Sequence, residues 1–177
     1  MDIHQIQVKY DPVADRLLLQ IRTREEQLFP IWLTRRMVVR LWPHFRGMVS
    51  GLAVSRTAPS ALAVPEARDM LADAARERAL KAADFKTAFN ASAATQPLGP
   101  EPVLPIAIDL RPAPGQAVVL VIRDTHGRSL ELAFGEDLAH GLLKLVESAL
   151  AGSEWGLFTP AAAQPAEPGT PAARVLN

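Results

Sequence analysis

The chain has no cysteine among its 177 residues. Disulfides and thiolate metal sites are thereby excluded, and cysteine usage says nothing of the redox compartment. Aromatics are scarce, with one tyrosine and three tryptophans. Long apolar runs are missing as well. The longest near the expected core, Ala117 to Ile122, is too short to span a bilayer. The segment Met1-Asp2-Ile3-His4-Gln5 has neither the basic nor the apolar stretch of a signal peptide. A soluble, cytoplasmic protein with no membrane association is the expectation. No GxGxxG, P-loop or nucleophile elbow occurs. His4, His44, His126 and His140 are scattered, none at metal-ligand spacing from another. Neither a metal nor a cofactor is expected. Nothing argues for an enzyme, although enzymatic activity is not excluded.

Acidic residues are absent from one long interval. No Asp or Glu lies between Glu26 and Glu66, while five arginines do. Net charge is zero overall but uneven. Residues 1–56 carry nine basic and five acidic groups, and residues 101–177 carry five basic and nine acidic. Either the two halves face each other, or the basic half meets an outside anion. Arginine outnumbers lysine fifteen to four, and alanine and proline are abundant, as in bacterial genomes of high GC content.

What is present centres on Trp32 to Arg46. Leu28 to Leu33 alternate as a strand does, and Pro30 places that strand at a sheet edge because it donates no hydrogen bond. Thr34 is a good helix N-cap. After it, Met37, Leu41, Phe45 and Met48 form a helical stripe. Pro43 is expected to kink that helix or end it near Trp42. Arg35 and Arg36 fall in the first turn, where the dipole disfavours cations by about 0.3–1 kcal/mol each. Something anionic should be near: Glu25, Glu26, an acid of the C-terminal half such as Glu131, or a partner's carboxylates or phosphates.

The chain then reads as two β-β-β-α units. In the first, residues 1–52, strands around Ile6–Tyr10, Leu17–Ile21 and Leu28–Leu33 lead into the arginine helix. Residues 53–105 hold a loop to Pro65, a long Ala-rich helix from Glu66 to Phe89, and a flexible connection. In the second unit, residues 106–152, strands around Ile106–Leu110, Val118–Ile122 and Leu130–Phe134 lead into a helix from Glu136 that Gly152 can end. Asp11 and Asp15, and likewise Asp124 and His126, read as turn residues. Leu19, Ile31, Met37 and Phe45 match Leu120, Leu132, Leu138 and Val146, each 101 positions later, and the first strands match at an offset of 100. This is the pattern of an internal duplication. Residues 153–177 form an Ala/Pro-rich tail; Trp155 and Phe158 can tuck onto the body, and disorder is expected from Thr159. The fold expected is α+β: two antiparallel repeats related by pseudo-symmetry, joined by a long helix.

The runs Tyr10-Asp11-Pro12, Asp15-Arg16-Leu17-Leu18-Leu19 and Trp32-Leu33-Thr34-Arg35-Arg36 resemble the start of small uncharacterised proteobacterial proteins, over roughly residues 5–50. The resemblance implies no activity and supplies no functional residue. From the residues themselves, the first reading is a non-enzymatic protein-interaction or regulatory module. Its partner would be another protein, or a second copy docked through the central helix. The alternative is a single-stranded nucleic-acid binder, with aromatics stacking bases and arginines holding phosphates. The binding residues expected are Trp32, Arg35, Arg36, Arg40, Trp42 and Arg46.

Overall fold

The computed structural model describes residues 1–57, 64–92, 95–113 and 117–157, side chains of 53–57 excepted. Strands β1 (Ile3–Asp11), β2 (Arg16–Thr23) and β3 (Leu28–Thr34) form one antiparallel sheet in the order β1-β2-β3. Helices α1 (Arg35–Thr57) and α2 (Pro65–Ala82) follow. Strands β4 (Ala107–Ala113), β5 (Ala117–Arg123) and β6 (Ser129–Gly135) form the second sheet in the order β4-β5-β6, and α3 (Glu136–Ala151) completes the second unit. The architecture is the expected α+β pair of three-stranded sheets, each running into a helix. The expected disordered tail lies outside the described residues, as does Phe158.

Alternation accounts for the sheets. Leu17, Leu19 and Ile21 on β2 are fully buried, and so are Ile31 on β3 and Leu132 and Phe134 on β6. Strand side chains alternate between faces, so each sheet offers one apolar face. Both faces enter a single core with Val38, Trp42, Phe45 and Val49 of α1 and with Leu142, Val146 and Leu150 of α3. Trp155 is buried in the same core.

The register is 101 for most of the repeat, and the first strands depart from it. Ile6 faces Ile21, while Ile108 faces Ile122, so β1 and β4 correspond at an offset of 102 (108 − 6), not 100. The cause is turn length: four residues separate the paired ends Asp11 and Arg16, and three separate Ala113 and Ala117. Ile106 therefore precedes β4 and stands 65% exposed.

Two helices differ in extent from expectation. Of the two outcomes expected at Pro43, α1 does not end near Trp42, nor does it give way to a loop at 53; it runs through Pro43 to Thr57. Pro43 is exposed, so its ring costs a helical hydrogen bond but no packing, while Trp42, Phe45 and Val49 around it are buried. α2 ends at Ala82 rather than Phe89. Ala83 turns extended, and the Asp84 carboxylate accepts from the Lys86 and Thr87 amides at 2.8 and 3.1 Å. That local bonding competes with the helix.

The segment after α2 seals one sheet edge. Leu28 and Trp32 of β3 donate their amides to the carbonyls of Thr95 and Val103, and the Val103 amide returns to Pro30. The edge position expected for β3 from Pro30 is thus observed, with this segment lying along it. Buried Arg22 fastens the same segment through the Asn90 and Ser92 carbonyls, and also pairs with Glu26.

Replacing Pro43 with Ala restores an amide to α1 and removes the ring clash. Stability should rise by about 1–3 kcal/mol; urea unfolding of Pro43→Ala checks it, and an unchanged or lower midpoint counts against it.

Candidate functional site: a groove between the arginine helix and a sheet edge

α1 begins as its sequence dictates. The Thr34 hydroxyl accepts the Met37 amide at 3.3 Å, and no acidic residue occupies the first turn. The two first-turn arginines then diverge. Arg35 donates to the Trp155 carbonyl at 3.1 Å. The Trp155 indole N–H donates to Asp15, which also accepts from the Tyr10 hydroxyl at 2.9 Å. The Tyr10 and Trp155 rings meet edge to face, with centroids 5.8 Å apart. The indole bond, and then the Tyr10 hydroxyl, hold the Asp15 carboxyl below its ordinary range. Arg35 thus belongs to a clasp that ties the segment after α3 to the first hairpin.

Arg36 points elsewhere. Together with Arg40 and His44 it lines a groove of about 810 Å³ between α1 and β4. Met37, Leu41 and Met48 give its apolar wall on α1, and Ile106 through Leu110 form the opposite side. Arg36 and Arg40 are exposed, and among the described residues neither makes an ion pair. Of the internal anions expected near them, Glu26 pairs with Arg22 and Glu131 with Arg111 at 2.6 Å, while Glu25 is exposed and makes no ion pair among the described residues. The groove's own acid, Asp109, is paired with Arg123 at 2.5 Å.

The remaining residues expected at the site are not brought to it. Trp42 is 7% exposed and packs on Phe45, so it is a core residue and offers no stacking face. Trp32 is half-buried on β3, opposite Leu18. Arg46 is exposed on α1 but does not line the groove. Sequence reasoning missed the β4 side entirely. Its signal was Ile106, an apolar residue one short of the strand once the register is corrected.

No group of three or more metal-ligating side chains occurs among the described residues. Asp124 is buried as a turn cap, accepting from the amides of His126 and Arg128 and from the Arg128 guanidinium. No helix among the described residues is long and apolar enough to cross a membrane. Compared with protein-family models, curated proteins and solved structures, the chain finds no match.

One buried titratable group was not foreseen. His140 of α3 is 3% exposed, and neither ring nitrogen has a hydrogen-bond partner among the described residues. Burial pushes its pKa down; Glu136 and Asp137 oppose this, while Arg76 and Arg78 of α2 add to it. The folded state therefore disfavours the imidazolium. Stability is full above the ordinary histidine pKa of about 6.5 and falls as the pH drops below it. His140→Leu should raise stability at neutral pH by about 1 kcal/mol, since two unpaired buried nitrogens disappear. It should also flatten the loss between neutral and mildly acidic pH. Melting curves across that range check both, and an unaltered acid slope counts against the assignment.

Proposed function

We propose that this chain is a non-enzymatic protein-interaction module whose binding face is the groove between α1 and β4. One observation carries the reading. Arg36 and Arg40 stand exposed over an apolar wall with no acid of the described residues paired to them. Arg36 lies in the first turn of α1, where the helix dipole disfavours a cation. The second unit builds the same sheet and helix with Asp137 and Gly141 at the matching positions (36 + 101, 40 + 101), so the frame does not require cations there.

A protein segment suits the groove better than a nucleic acid. Its lining holds no Trp, Tyr or Phe on which bases could stack, and only two arginines. Nucleic-acid grooves combine stacking platforms with a track of several cations. The central helix is the weaker docking surface: Ala75 and Ala79, its buried residues, face into the protein, and Arg76 and Arg78 are spent on Glu147 and Glu136 of α3.

Selection from a random peptide library displayed on phage tests the reading. Peptides rich in acidic and apolar residues should be enriched. The double variant Arg36→Glu with Arg40→Glu should bind them at least about tenfold more weakly, near 1.4 kcal/mol. Its melting temperature should be equal or higher, because a carboxylate suits the helix start. Enriched peptides indifferent to the double variant would refute the groove as the site.

A further inference from the structure

We infer that the occupant of the groove is an extended acidic segment that adds to β4 as a fourth strand of the second sheet. The inference rests on reading the groove as a protein-binding site and specifies how the partner sits.

Five consecutive residues, Ile106 to Leu110, line the groove. Successive strand side chains point to opposite faces. A cavity facing one side of a sheet meets every second residue; one that meets all of them looks at the strand edge-on. β4 lies at the end of its sheet and, among the described residues, pairs with β5 alone. Its outer row of N–H and C=O groups is therefore presented to the groove. Unpaired strand edges are templates for another strand unless something covers them. This chain covers one such edge itself, where the Thr95–Val103 segment bonds along β3.

The arginines set the occupant's charge and spacing. Arg36 and Arg40 are one helical turn apart, about 6 Å along α1 at 1.5 Å per residue. Alternate residues of a strand are about 6.6 Å apart. Carboxylates at every second position of an added strand match the two guanidiniums in turn. An apolar residue further along the same row meets Leu41 and Met48. His44, on the same wall, adds no acid to oppose this.

The probe is the capped peptide Thr-Ile-Thr-Glu-Thr-Glu-Thr-Ile-Thr, which reads identically in both directions, so strand polarity does not matter. Its isomer Thr-Ile-Thr-Glu-Glu-Thr-Thr-Ile-Thr has the same composition but places the carboxylates on opposite faces. Both are titrated into the full chain and followed by NMR, with amide exchange read along Ala107–Ala113. The proposal expects the first peptide to bind and to slow exchange at alternating β4 amides. It expects the isomer to bind at least about tenfold more weakly. Equal binding of both peptides, with shifts on α1 and unchanged β4 exchange, overturns strand addition and leaves the docking reading standing. No binding of the first peptide at millimolar concentration also overturns strand addition, and the library selection then decides the docking reading alone. A single-stranded oligonucleotide that binds at Arg36 and Arg40 and excludes the peptide overturns both.

Discussion

Phe45 of α1 meets Phe134 of β6 edge to face, with ring centroids 6.4 Å apart. The contact joins the helix of one unit to the sheet of the other, and the rest of the structure depends on what it stands for. A three-stranded sheet with one helix has a single apolar face and little to bury it against. Here each unit supplies the cover for the other. α3 packs along β1, and α1 reaches β4 and β5, so neither half has a complete core without its mate. Joint burial also explains why α1 tolerates Pro43. The helix is held by Trp42, Phe45 and Val49 in a core it shares with α3, and a lost hydrogen bond on the exposed side does not outweigh that.

The linker follows from the same constraint. Two units that must face each other need a connection that crosses the assembled body. α2 contacts both α1 and α3. It is Ala-rich where it is buried, at Ala75 and Ala79, and charged beside that line, so that Arg76 and Arg78 reach Glu147 and Glu136. Glu136 thereby serves twice: it sits in the first turn of α3, where the dipole favours an acid, and it receives the Arg78 guanidinium at 2.7 Å. Between these attachments lies His140, buried and without a hydrogen-bond partner among the described residues.

Much of this was legible in the residues. Strand alternation, the edge position of β3, the Thr34 cap, the acids opening α3 and the 101-residue register are local patterns, and the structure keeps them. The departures have nonlocal or competing causes. The expected first-strand offset of 100 and the observed 102 differ by two residues, which leaves the inward and outward alternation unchanged and so hides from pattern matching. The reading of α2 as far as Phe89 overran its end, because the Asp84 side chain claims the Lys86 and Thr87 amides. Trp42 lay on the same periodic stripe as Val38 and Val49, and that spacing was better evidence for core than its aromaticity was for binding. The groove was illegible because half of it belongs to β4, more than sixty residues away in sequence.

Charge is where the duplicated units part company. Among the described residues, acids of the second unit pair with arginines of that unit and of α2: Asp109 with Arg123, Glu131 with Arg111, Asp124 with Arg128, and Glu136 and Glu147 with α2. None of these acids is paired to Arg35, Arg36, Arg40 or Arg46. Among the described residues, Arg36 and Arg40 are thus paired to no acid of the second unit. Of the two first-turn arginines, Arg35 is absorbed into the clasp with Trp155. Arg36 is not, and it keeps the first-turn cost that the matching helix avoids with Asp137. A single frame used twice, with one copy electrostatically settled and the other unsettled along one groove, separates two demands on the sequence. The second unit and α2 hold the fold, while Arg36 and Arg40 carry charge that no acid of the described residues balances.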